Sequence, residues 1–272
     1  MEGYIFDYRL GYVRDGCTLP GFDVFGTDDA PCGRIVAIGG YTTPEPLQSG
    51  RSWVELLYRK LEGKYQILSG CTDGYSSAQI LTMFIRDAVL FRPKLVICFS
   101  GFYDIAYKLG FVENKADAEL LKTHSFSTPG QIAFLRRLTP HFGLGNYKVY
   151  YGQSNDMPAC ELWLRRMAEI KCLCDEFEIG FRSALQPCVF SGKYVRSEEE
   201  SSFLREYYKI SDDAVEAFRA RFQQEYREIT IRAEALDYIV DLSGVFDHHK
   251  DVYYDACHAK DEYFALLAEE IL

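Results

Sequence analysis

Three residues of this sequence have types and spacing suited to chemistry: Tyr41, Asp255 and His258. The run Arg34-Ile-Val-Ala-Ile-Gly39 is a short apolar strand that enters a Gly39-Gly40 turn, and Tyr41 follows at once. A sharp turn after a buried strand is where α/β hydrolytic enzymes expose a nucleophile, because glycine removes the Cβ clash of a strained bend. Near the other end, Asp255-Ala-Cys-His258 places an acid three residues before an imidazole. Such a pair supplies an orienter and a base. The group at the turn is a phenol, whose ordinary pKa near 10 makes it a poor nucleophile unless positive neighbours or hydrogen bonds lower it.

These groups need a scaffold that brings residue 41 and residue 258 together. Runs rich in Val, Ile, Leu or Phe predict strands at about 34–39, 65–69, 94–99, 180–186 and 237–242. Amphipathic helical patterns lie between them. Ser52 is suited to cap one that carries Trp53, Leu56, Leu57 and Leu61, and Ser77 starts another with Ile80, Leu81, Phe84 and Ile85. Further helices are expected from Pro158 to Phe177, near 197–209 and over 212–235; Glu198-Glu199-Glu200 reads as a solvated helix start favoured by the dipole. Strands alternating with helices predict a parallel sheet covered on both faces. Residues 1–33 read as an irregular lead-in, residues 105–155 as an insertion or lid with one further strand at 146–151, and the whole 1–272 as a single domain.

Composition bounds the function. A chain of 272 residues that is 48% hydrophobic can bury a substantial core. Its formal net charge of −10 argues against nonspecific partnership with nucleic acid or an anionic membrane. No apolar run is long enough to span a bilayer, and the N-terminus has no basic segment leading into an apolar one, so a cytoplasmic location is expected. Nine scattered cysteines fit reduced thiols better than a disulfide framework. Neither a Walker-type loop nor a Gly-x-Gly-x-x-Gly turn is present, so no cofactor is expected. Asp247-His248-His249-Lys250-Asp251 reads as a solvated loop and not a metal site, because adjacent histidines point to opposite sides.

Four segments are expected at the carboxyl ends of the strands: Gly39-Gly40-Tyr41-Thr42, Ser69 to Ser77, Ser100-Gly101-Phe102-Tyr103-Asp104 and Asp255 to His258. In order, spacing and strand context they resemble the SGNH (GDSL-like) hydrolase superfamily, in particular the branch whose nucleophile block reads Gly-Gly-Ser-Thr-Thr. Ala184-Leu-Gln-Pro187 is similar to a recurrent strand end of that branch. The resemblance spans residue 34 to the C-terminus apart from the insertion. It implies a three-layer α/β/α sandwich on a flavodoxin-like, parallel five-stranded sheet, and activity on O-acylated small molecules, carbohydrate esters among them. Carried over by position, the serine falls on Tyr41, the oxyanion glycine on Gly74 and the oxyanion asparagine on Tyr103. The Asp-x-x-His pair is intact as Asp255 and His258.

The two tyrosines differ in consequence. A phenol O–H can donate to an oxyanion, so Tyr103 keeps a plausible role there, whereas losing such a donor costs about 10²–10³ in rate. Tyr41 places its oxygen far from the backbone, and removing a triad nucleophile costs on the order of 10⁶. Three readings stay open: a degenerate site that binds without catalysis, an enzyme that uses Tyr41 as nucleophile or acid/base, and a hydrolase that uses Thr42, Ser69, Ser100 or a water activated by His258. Plain packing accounts equally well for Tyr41 and Tyr103 in a chain with 20 tyrosines, and a turn or helix cap accounts for Asp255. The tyrosines at 147, 150, 151, 207, 208, 253 and 254 fit either a sugar-stacking cleft or ordinary packing.

Overall fold

The computed structural model describes residues 4–7, 11–14, 16, 17, 19, 21–40, 52–112 and 157–271. Tyr41, Thr42 and the expected strand at 146–151 lie outside the described residues, as does most of the expected insertion. An antiparallel hairpin of β1 (Tyr4–Asp7) and β2 (Gly11–Arg14) comes first, followed by a short strand β3 (Asp23–Phe25). The expectation of an irregular lead-in is corrected here. β3 pairs antiparallel with β5 (Gln66–Ser69) and closes one edge of the main sheet.

The main sheet contains β4 (Arg34–Gly39), β5, β6 (Leu95–Ser100), β7 (Gly180–Leu185) and β8 (Ile239–Asp241), all parallel, in the order β3-β5-β4-β6-β7-β8. Without β3 this is the 2-1-3-4-5 order of flavodoxin-like folds. It carries six strands, one more than expected. β6 shows why the strands are legible in sequence: Val96, Ile97, Cys98 and Phe99 are all fully buried, as a strand covered on both faces requires.

The helices follow their sequence signals. Ser52 caps α1 (Trp53–Lys60), with its hydroxyl accepting the Glu55 N–H at 2.9 Å. α2 (Ser77–Arg86) starts at Ser77 as expected, with Ser76 as its N-cap. α3 (Phe102–Leu109) follows β6 directly, and α4 (Ala159–Glu176) leads into β7. α5 (Glu198–Tyr208) and α6 (Asp212–Ala233) join β7 to β8, and α7 (Phe264–Glu270) ends the chain. The chain moves one way along the sheet from β4 to β5 and the other way from β5 onward. Right-handed crossovers then put α1 on one face and the later connecting helices on the other. The packing agrees: α1 lies against α7, while α2, α3 and α6 all pack against α4. Two layers of helix therefore enclose the sheet, and the reversal of strand order between β4 and β6 marks the edge where a ligand crevice forms.

Candidate active site

Gly40 continues β4 past its last paired residue, and its N–H bonds the carbonyl of Phe99 on β6 at 3.2 Å. A Cβ there would stand 2.3 Å from the Tyr75 carbonyl oxygen and 2.9 Å from Cδ2 of Tyr103. Only glycine allows the bend to pass so close to both loops. The Tyr103 ring therefore packs closely on the Gly40 backbone.

The loop after β5 carries Asp73 and Gly74. Gly74 has φ +83°, and its carbonyl accepts the Tyr107 hydroxyl at 2.6 Å, which ties the loop to α3. Tyr103, also on α3, donates its hydroxyl to Oδ1 of Asp73. Burial, with the Asp73 charge beside it, pushes the Tyr103 phenol well above its ordinary value, so it remains a proton donor. Its donor is aimed at a carboxylate, which differs from the oxyanion role expected for it.

Asp255 and His258 sit in a tight loop before α7. Oδ1 of Asp255 accepts the backbone N–H groups of Cys257 and His258, each at 2.8 Å, and Oδ2 lies 2.6 Å from Nδ1 of His258. The Tyr254 N–H bonds the His258 carbonyl at 2.9 Å, and Val189 N–H bonds Ala256 O at 2.9 Å, so the loop is closed on itself and moored to the segment after β7. Asp255 is thus no helix cap; it organises its own loop and orients the imidazole. Burial opposes the charge on Asp255, yet the His258 charge and hydrogen bond together with the two backbone N–H groups hold its carboxyl below the ordinary range. Burial likewise opposes the charge on His258, and the neighbouring Asp255 carboxylate, with Cys257 and Asp73, outweighs it and raises the imidazole well above its ordinary value.

The second ring nitrogen completes the site. Nε2 of His258 lies 3.5 Å from Oδ1 of Asp73, the oxygen that also accepts the hydrogen bond from the Tyr103 hydroxyl. Cys257 Sγ lies 3.8 Å from the Tyr103 oxygen. The Gly40 bend, the loop after β5, the start of α3 and the Asp255 loop therefore meet at one place. Gly74, Tyr103, Asp255 and His258 are brought together; Tyr41 is the one site residue outside the described residues. Asp73, next to Gly74, carries no signal of a role in the sequence, because a single aspartate in a Gly-rich loop is indistinguishable from a turn residue. Ser100 is buried and accepts the Trp163 indole N–H at 2.9 Å.

The carboxylate of Asp255, the thiol of Cys257 and the ring of His258 offer donor atoms within 4.8 Å of one another. The 2.6 Å contact between Oδ2 and Nδ1 is a hydrogen bond. Two ligands of one tetrahedral ion stand roughly 3.4 Å apart, so the cluster is organised as an acid–imidazole pair rather than a metal cage.

A second missed residue lies behind the loop. Glu200 is buried, unlike the exposed Glu198 and Glu199, which corrects the reading of that run as a solvated face. Its Oε2 closes the capping box with Ser197 N–H at 2.8 Å, while Oε1 accepts the Tyr194 hydroxyl at 2.7 Å and the Tyr253 N–H at 2.8 Å. Glu200 thus anchors the strand of chain that delivers Asp255.

A flavodoxin-like strand order, with an Asp-x-x-His pair from the C-terminal loop meeting the loops after the first three parallel strands, decides the type of fold. The fold is a flavodoxin-like α/β/α sandwich. No family model and no curated protein matches the sequence. Among solved structures the chain is similar to a catalytic mutant of an acetylxylan esterase from Geobacillus stearothermophilus, with 12% identity and a TM-score of 0.49 over 87% of this chain and 91% of that one. It is also similar to a protein described as a G-D-S-L-family lipolytic protein from Desulfitobacterium hafniense, at 13% identity and a TM-score of 0.46 over 87% and 96% of the two chains. A protein described as an acylhydrolase from Bacteroides fragilis gives 13% identity and a TM-score of 0.46 over 88% and 84%. All nine cysteines are free thiols, and no helix among the described residues is long and apolar enough to cross a membrane.

Proposed function

We propose that this chain is an esterase-like protein of SGNH type whose site binds an O-acylated small molecule, carbohydrate esters among them, without the serine chemistry of the family. The observation that supports it is the Asp255–His258 pair, built with the hydrogen bonding of a catalytic dyad beside the Gly40 bend and the Gly74 loop. The resemblance in sequence supplies the ligand class, and Tyr41 stands where that resemblance requires serine. A tyrosine nucleophile has precedent in sialidases, but here the base it would need is itself held towards its protonated form. The alternative of Ser100 as a replacement nucleophile is disfavoured by its burial under Trp163. Free thiols throughout support a reducing, cytoplasmic setting.

The test is a panel of p-nitrophenyl esters and O-acetylated oligosaccharides, read both as turnover and as thermal shift. Turnover no greater than that of His258→Ala, with a ligand-dependent rise in Tm that weakens in Tyr41→Ala, is the expected result. Turnover that His258→Ala abolishes would make the protein an active hydrolase. No shift with any ester would remove the ligand class.

A further inference from the structure

We propose that Asp73 is a positioning residue that holds His258 from the side opposite Asp255, so that the imidazole is clamped between two carboxylates and withheld from service as a base. The inference deepens the reading above and rests on His258 being the group around which this site is built.

The geometry carries it. Nδ1 of His258 faces Oδ2 of Asp255 at 2.6 Å, and Nε2 faces Oδ1 of Asp73 at 3.5 Å. A general base has to receive its proton on a ring nitrogen within about 2.6–3.2 Å of the donor. With Nδ1 committed to Asp255, Nε2 is the nitrogen left for that task, and a negatively charged oxygen lies beside it. An anion there favours the N–H form of Nε2, which makes the ring a donor at both nitrogens.

Asp73 is also kept from turning away. The Tyr103 hydroxyl donates to the same Oδ1, and Tyr103 is backed by the Gly40 bend and by the Tyr107 ring, 5.5 Å away between centroids. Tyr107 in turn holds the Gly74 carbonyl at 2.6 Å, which fixes the backbone one residue beyond Asp73. Four elements of support thus converge on one carboxylate. Among the described residues, the charged or titratable groups facing the imidazole include Asp255 and Cys257 from its own loop, Asp73 from the loop after β5, and Tyr103 from α3, with Tyr208 of α5 in electrostatic range. Burial raises the Cys257 thiol to about 12 and raises both phenols, so these three groups are uncharged at neutral pH.

The experiment is a proton NMR titration of the histidine ring signals in the full chain, with the His258 resonance identified by its loss in His258→Gln. Asp73→Asn, and Asp73→Ser as a second variant in case the first folds poorly, are expected to lower the His258 midpoint by about one pH unit, about tenfold in proton affinity. A midpoint unchanged in a folded Asp73 variant overturns the proposal, because a merely structural role for Asp73 would leave the titration in place. A second arm measures ester turnover against pH in Tyr41→Ser with and without Asp73→Asn. The expected outcome is that the double variant reaches its active limb at lower pH. Absence of turnover in both would count against the ligand class proposed above, and the NMR titration would still decide the role of Asp73.

Discussion

The carboxylate of Asp104 closes the start of α2: both its oxygens accept the Ser77 N–H at 3.1 Å, and Oδ1 also accepts the Ser77 hydroxyl at 2.5 Å. An acid on α3 thereby fills the positive end of the helix that follows the Gly74 loop. Asp104→Ala should cost about 1–3 kcal/mol of stability, since it strands two buried donors. A urea unfolding series measures it, and a loss within error would show that the contact contributes nothing.

Asp104 also has a pH signature. Burial, against the Ser77 hydrogen bonds, raises its carboxyl to about 6. A raised folded value means that its contribution is complete below the unfolded value of about 4 and is lost as pH rises through about 6. The Tm difference between the native chain and Asp104→Asn should therefore change across that window and be flat above about pH 7. A difference flat from pH 4 to 7 would contradict the assignment.

The Asp255–His258 pair behaves differently because the two shifts are opposite in sense. The lowered acid contributes above about pH 4 and loses its share as pH falls through its folded value. The raised imidazole contributes below about 6.5 and loses its share as pH rises through its folded value. A double-mutant cycle of Asp255→Asn and His258→Gln should give a coupling of about 1.5–3 kcal/mol, greatest between about pH 4 and 6.5. A coupling near zero in that interval would mean that the two side chains do not form the pair described.

Glu200→Ala removes the acceptor shared by Ser197, Tyr194 and Tyr253. The expected loss is about 2–4 kcal/mol, together with looser amide exchange protection at Tyr253 and the residues that follow. Stability equal to that of Glu199→Ala, an exposed neighbour, would refute the anchoring role.

Cys257 is buried, and burial above all raises its thiol to about 12. Thiolate is the reactive form, so iodoacetamide at pH 8 should modify the exposed Cys32 and Cys172 while leaving Cys257 intact until the chain unfolds. Peptide mass spectrometry checks the order of labelling.

Much of this architecture is local and was legible as such. The β6 run of Val96 to Phe99 and the Ser52 cap on α1 depend on neighbours a few residues away, and period and capping chemistry report such neighbours directly. β3, with only Asp23, Val24 and Phe25, is too short to carry a period, and it exists because β5 offers it an edge. Glu200 is indistinguishable in sequence from its two exposed neighbours, and only the fold brings the Tyr194 hydroxyl and the Tyr253 N–H to its carboxylate.

The primary structure alone determined that a glycine bend, an Asp-x-x-His pair and a tyrosine in a serine's place belong to one chain, since residue types and short spacings need no coordinates. Only the tertiary structure decided that Asp73 stands beside Nε2 and that the Tyr103 hydroxyl donates a hydrogen bond to that carboxylate. These contacts join segments far apart along the chain, and their geometry follows from how the sheet stacks the loops at its carboxyl edge, which no local pattern encodes.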